Sequence, residues 1–160
     1  MRIIGIDPGL KATGYAIIDY CRPEFKLIEA GTVTSKTKEL LQHRIQSVYN
    51  SLNGIIDEYK PEVLVLEKLY AHYKHPATAA IMGHLRGVIC LLCAQKNLSL
   101  CEESVKRIRS AVVGNGNATK IQTQKIVAHA LGLDEKKLTL DASDALALAL
   151  GYINIHGRRL

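Results

Sequence analysis

The chain has 160 residues, 48% of them hydrophobic, and a formal net charge of +6 from 21 Lys and Arg against 15 Asp and Glu. This length suits one domain with a real core, expected over residues 1–160, and is too short for two. No apolar run approaches the ~20 residues of a bilayer span, and Met1 leads straight into strand-like sequence with no secretory leader, so a cytoplasmic protein without a membrane role is expected.

In chain order, Arg2 to Ile6 is a nearly unbroken apolar run, as in a strand covered on both faces. Thr13 to Asp19 and Phe25 to Val33 read as two further strands joined by a turn around Pro23, giving an antiparallel meander. A helix is expected from Thr37 to Tyr59, with Leu41, Ile45, Val48, Leu52 and Ile56 at helical spacing and Pro61 just beyond it. Gly54 inside this helix costs about 1 kcal/mol relative to Ala and is expected to mark a close contact. Val63 to Leu66 repeats the pattern of a buried strand. A second helix spans about Pro76 to Lys96, and Leu98 to Cys101 is a short fifth strand. Helices follow at Val105 to Val113, Lys120 to Leu131 and Ala142 to Ile155.

Three strands, then helix, strand, helix, strand and further helices predict an α/β fold: a mixed five-stranded sheet flanked by helices on both faces. This is the ribonuclease H-like arrangement, in which the first and fourth strands are central neighbours. The sequence places carboxylates at telling positions of that arrangement. Asp7 ends the first strand and Glu67 the fourth, and the ends of central strands are where sites open in α/β sheets. Asp141 and Asp144, three apart, share a face at the start of the last helix. Together the four predict an acidic pocket best relieved by divalent metal, although Asp141 equally suits a dipole-stabilising role at a helix start.

The positive charge is also localised. Lys106, Arg107, Arg109, Lys120 and Lys125 surround the Gly114–Asn117 loop, and Arg158 and Arg159 close the chain. A polyanionic partner is the natural inference. Cys90 and Cys93 form a CxxC inside an apolar helix without a second ligand pair, which reads as structural thiols rather than a zinc or redox site.

Five segments, GIDPGLKATGYAII, VLEKLYAHYK, GHLRGVI, AVVGNGNATK and DASDALALAL, occur in this order over essentially the whole chain, and together they resemble the RuvC-type Holliday junction resolvases. The resemblance implies a homodimeric endonuclease of recombination and repair that binds four-way DNA junctions and cuts two strands symmetrically, in concert with a branch-migration motor. It implies two Mg²⁺ per active site, with Mn²⁺ as a substitute, held by Asp7, Glu67, Asp141 and Asp144. Some family members carry His at the position of Asp141. Arg109 and Lys120 match basic positions near the scissile phosphate, with Lys106 and Arg107 as further phosphate contacts. Tyr70 matches an aromatic that stacks on unpaired bases at the junction centre, with His72 and Tyr73 close by. Gly83 and Gly87, four apart on the second helix, fit either a dimer contact or close packing on the sheet.

Competing readings are a sugar kinase or ATPase of related fold, an RNA-directed ribonuclease H or anti-termination relative, and a binding protein without catalysis. The first needs a second subdomain to enclose its nucleotide, and 160 residues do not supply one. The intact acidic set speaks against the last.

Overall fold

The computed structural model describes residues 1–68 and 76–157. Its strands are β1 (Arg2–Asp7), β2 (Ala12–Cys21), β3 (Glu24–Thr34), β4 (Val63–Glu67) and β5 (Ser99–Glu103). Its helices are α1 (Leu41–Tyr59), α2 (Pro76–Lys96), α3 (Val105–Val113), α4 (Lys120–Ala130) and α5 (Leu140–His156), with a short 3₁₀ turn at Glu135–Lys137. The sheet order is β3-β2-β1-β4-β5. β1 pairs antiparallel with β2 and parallel with β4, and β5 extends the parallel half. This is the ribonuclease H-like α/β fold expected from the sequence.

The alternation of side chains across a strand divides the core into two layers. Ile3, Ala16, Ile18, Val63 and Val65 pack under α5 with Ile108 and Val127. Ile4, Ile6, Ile17, Leu64 and Leu66 pack on the opposite face against Val48, Leu52 and Ile56 of α1 and Leu85, Ile89 and Leu92 of α2. Because both faces are covered, β1 and β4 are apolar throughout rather than alternating.

Some expectations shift. α1 begins at Leu41 rather than Thr37: Leu40 is extended and offers no capping side chain, while Arg44 and Ser35 converge on the carbonyl of Leu10. Gly54 marks no close contact, since a methyl group there would meet open space. Gly83 and Gly87 also face open space and do not pack on the sheet. The 20 residues Ala77–Lys96 are long and apolar enough to cross a membrane by length and hydropathy, contrary to the sequence reading. Their composition has another cause here: one side of α2 is buried on the sheet, while Ile81 and Leu91 remain exposed on the helix.

The close contacts lie elsewhere. A Cβ on Gly5 would come within 2.2 Å of the Ala145 carbonyl oxygen, and one on Gly14 within 2.0 Å of the Asp141 carbonyl oxygen. Gly5→Ala should therefore force α5 away from the sheet and destabilise the fold by roughly 1–3 kcal/mol or more. Gly54→Ala, within α1 and in open space, should stabilise it by roughly 0.5–1 kcal/mol. Urea denaturation of the two variants checks both signs.

Candidate active site

Neighbouring parallel strands end side by side, so the pairing of Ile6 with Leu66 brings the ends of β1 and β4 together. Ile3, Val63 and Val65 face α5, and a period of two therefore directs Asp7 and Glu67 to the same face. The start of α5 is fixed over them. Thr139 caps the helix by accepting from the Ala142 amide at 3.2 Å, and its hydroxyl lies 3.0 Å from that of Thr32 on β3. Asp144, one turn in, completes a cleft of about 170 Å³ with Asp7, Glu67, Arg109, Lys120 and Thr123 in its lining.

Lys120 is the first residue of α4, whose start is set by a reciprocal capping box between Thr119 and Gln122. This end carries its ammonium to Asp144, with which it forms a short ion pair. A larger hollow, of about 500 Å³, lies at the other end of β1 and includes Arg2, Asp19 and Tyr59 in its lining. There Arg2 holds Asp19 through Nε at 2.6 Å and Nη2 at 2.7 Å, so its charges are already matched. The cleft with unbalanced carboxylates is the better candidate.

The electrostatics show what the cleft lacks. Burial first, then Asp144 and Glu67, push the Asp7 carboxyl from 3.8 up to about 7, against the pull of Lys120. Glu67 is also raised, by burial and Asp144, and is restrained by Lys120, Arg109 and Arg86. Carboxylates crowded in a partly dry cleft resist ionising together. The Lys120 ammonium beside Asp144 shows that a cation is accommodated among them, and hard carboxylate oxygens are the donors that Mg²⁺ or Mn²⁺ prefer. The residues present fit a divalent ion.

Asp141 stands in the first turn of α5 but outside the cleft lining. It is near enough to add the smallest of the upward pushes on Asp7. A second group of donors, Cys101, Glu103 and His156, lies within 4.8 Å, and two of its members are already engaged. Glu103 accepts from Arg107 Nη1 at 3.2 Å and faces His156 Nε2 at 3.0 Å.

Residues 3–152 match the family described as crossover junction endodeoxyribonuclease RuvC. The chain is 40% identical over 153 residues to the protein of that name from Finegoldia magna, covering 96% of this chain and 93% of that one. To the Fusobacterium nucleatum protein of the same name it is 35% identical over 160 residues, covering 100% of this chain and 84% of that one. It belongs to the RuvC family. In fold it resembles the T. thermophilus RuvC solved in complex with Holliday junction substrate, with a TM-score of 0.89 and 21% identity over 99% of this chain and 96% of the other. The yeast mitochondrial Holliday junction resolvase Ydc2 matches with a TM-score of 0.73 and 14% identity, over 98% of this chain and 79% of the other.

Against the RuvC resemblance, the basic residues divide. Arg109 and Lys120 reach the cleft. Lys106 is exposed and sits beside the Gly114–Asn117 loop, its carbonyl oxygen 2.9 Å from where a Cβ on Gly116 would stand. Arg107 is drawn to Glu103, a partner that sequence spacing alone did not single out, although the two stand four apart. Tyr70, His72, Tyr73, Arg158 and Arg159 lie outside the described residues. Sequence reasoning passed over one contact altogether: Arg86 of α2 donates to the carbonyl oxygen of Glu67. Its signal was a lone arginine in the middle of an apolar helix. The four cysteines are free; Cys93 is buried and Cys90 half-buried, in keeping with structural thiols, whereas Cys21 is exposed.

The raised pKa of Asp7 makes stability depend on pH. A carboxyl raised in the folded state contributes stability that is fully present below its unfolded value near 4 and is lost as pH rises through about 7. In chelator at pH 8, Asp7→Asn should therefore melt higher than the native chain, by an amount on the order of a few kcal/mol in stability, and the gap should close toward pH 4. Added Mg²⁺ or Mn²⁺ should raise the melting temperature of the native chain and have much less effect on the variant.

Proposed function

We propose that this protein is a structure-selective endonuclease that resolves four-way DNA junctions by metal-dependent hydrolysis, nicking two opposed strands to leave 5′-phosphate and 3′-hydroxyl ends. The observation that carries this reading is the meeting of Asp7, Glu67 and Asp144 with Arg109 and Lys120 in one cleft of a RuvC-family chain.

Asp7, Glu67, Asp144 and, from the rim, Asp141 are the residues to hold a pair of divalent ions, Mg²⁺ with Mn²⁺ as its substitute. Such ions supply an activated water and stabilise charge on the leaving oxygen. The protein's own part is to orient and to balance charge. Asp7 is the most central of the acids, since Asp144, Glu67 and Asp141 all raise it, and it would be the ligand common to both ions. Arg109 and Lys120 place positive charge where a phosphodiester enters. Lys120, paired with Asp144 here, would be free to meet a phosphate if an ion balanced that carboxylate. Lys106 extends the positive edge along the loop at Gly116. Arg107, paired with Glu103, contributes less. Tyr70 follows Glu67 by three residues and is assigned a stacking role on bases opened at the junction.

Two-fold cutting calls for a homodimer on a nearly two-fold substrate. The uncovered face at Gly83 and Gly87 and the exposed Ile81 and Leu91 support α2 as the contact. Action in recombination and repair, in the cytoplasm and together with a branch-migration motor, completes the reading.

Incubation with a synthetic four-way junction and Mg²⁺ tests it. Paired symmetric nicks are expected from the native chain and none from Asp7→Asn, which should still bind the junction. Preferential cutting of an RNA–DNA hybrid would favour the ribonuclease reading, and junction binding without cutting by the native chain would favour a binding protein.

The DNA-contact assignments predict separable effects. Arg109→Ala and Lys120→Ala should each lower the dependence of log K on log salt by about 0.9, the value for one phosphate contact, while Arg107→Ala should change it less. Tyr70→Ala should slow cutting more than it weakens binding. Junction titrations at several salt concentrations and single-turnover cleavage read out these differences.

A further inference from the structure

Arg86 stands midway along α2, among apolar and small residues and on the side of the sheet opposite the cleft. Its side chain is only 12% exposed. A guanidinium so sheltered is costly unless its donors are matched, and a planar fork is suited to serving two acceptors at once. Both partners are present. Nη1 donates to the backbone carbonyl oxygen of Glu67, and Nη2 to the Glu102 carboxylate, each through a short contact.

These acceptors lie on different strands. Glu67 is the last residue of β4, and Glu102 stands beside Leu66 in the register of β5. Beyond Glu67, the strand end is held to β5 by the Lys68 amide, which donates to the Glu103 carbonyl oxygen at 2.8 Å. Arg86 thus fastens the main chain of Glu67 from behind, while its carboxylate faces the cleft.

We propose that Arg86 is a positioning residue for Glu67: its fork clasps the carbonyl oxygen of Glu67 and the carboxylate of Glu102, fixing the end of β4 so that the Glu67 side chain is presented to a divalent ion in the cleft. This rests on the reading of the cleft as a metal centre. The clasp acts through the peptide rather than on the ion or the DNA, so its loss weakens metal binding and cutting while leaving the DNA-binding surface in place. Lysine carries the charge but has no fork with which to span both acceptors. Glu102 is exposed, and its loss leaves the bond to Glu67.

The test uses the full chain with Arg86→Lys, Arg86→Gln and Glu102→Gln, measuring Mn²⁺ affinity by calorimetry, junction affinity in chelator, and single-turnover cutting. Removing an outer partner of a metal ligand typically weakens affinity by about 10–100-fold. Both Arg86 variants should lose Mn²⁺ affinity in that range, with Arg86→Lys the milder. Both should cut slowly at low Mn²⁺ and recover as Mn²⁺ is raised, with junction affinity unchanged, and Glu102→Gln should be affected least. Should Arg86→Gln fail to fold, Arg86→Lys decides. Native Mn²⁺ affinity in a folded Arg86→Lys overturns the clasp, as does equal loss of metal and junction binding in either variant. If the native chain binds Mn²⁺ through Asp7 yet cuts no junction, the proposed function fails while the metal titrations still judge Arg86.

Discussion

The separation of α5 from the sheet governs everything at the cleft, and it is set by side chains that are missing. Gly5 and Gly14 lie directly under the carbonyl oxygens of Ala145 and Asp141, at distances no Cβ tolerates. With Ala145 and Ala149 as the facing residues, the helix backbone settles onto β1 and β2, and Ala145, Leu146 and Ala149 are fully buried. A bulkier contact would lift the helix and carry Asp144 away from Asp7. The alanines of the last segment therefore do more than favour helix. They make its backbone the packing surface, so that the meeting of Asp144 with Asp7 rests on van der Waals contact rather than on the charged groups themselves.

Those charged groups oppose the fold that assembles them. Asp7 and Glu67 are both raised, first by burial and then by neighbouring acids, so without a cation the cleft is a source of instability. Lys120 offsets part of this through Asp144, and it comes from α4, an element independent of the sheet. Lys120 and Asp144 therefore steady the cleft while being among the residues that line it.

Much of this was legible in the sequence because it follows from short-range pattern. Asp7 and Glu67 each end a doubly covered strand, and strand order makes those strands neighbours. The limits of α2 and α3 coincide with their apolar patterns and terminal signals. What was not legible depends on the third dimension. Spacing puts Asp141 and Asp144 on one face, but only the seating of α5 separates the cleft residue from the rim residue. Arg107 looks as free as Arg109 in the sequence, yet it meets the buried Glu103. Gly54 and Gly5 are both glycines within regular elements, and only one of them has a neighbour pressed against it. The span-like average hydropathy of α2 was passed over in the sequence, where no single apolar run is long enough to show it.

The division of charge around the cleft also resolves an apparent conflict in a basic chain whose site is acidic. Net charge acts at long range, and at +6 it draws a polyanion toward the whole surface. The acids act within a few ångströms, where they would repel a phosphate unless a divalent ion stood between. Arg109 and Lys120 occupy the boundary between the two regimes: they line the cleft yet carry the sign of the outer surface. On the proposed reading, DNA would approach on the basic field, and its backbone would settle among the carboxylates only with an ion bound there. Under the proposed function, an ion rather than distance would separate binding from cutting, so loss of Asp7 and loss of Arg109 should fail in different ways.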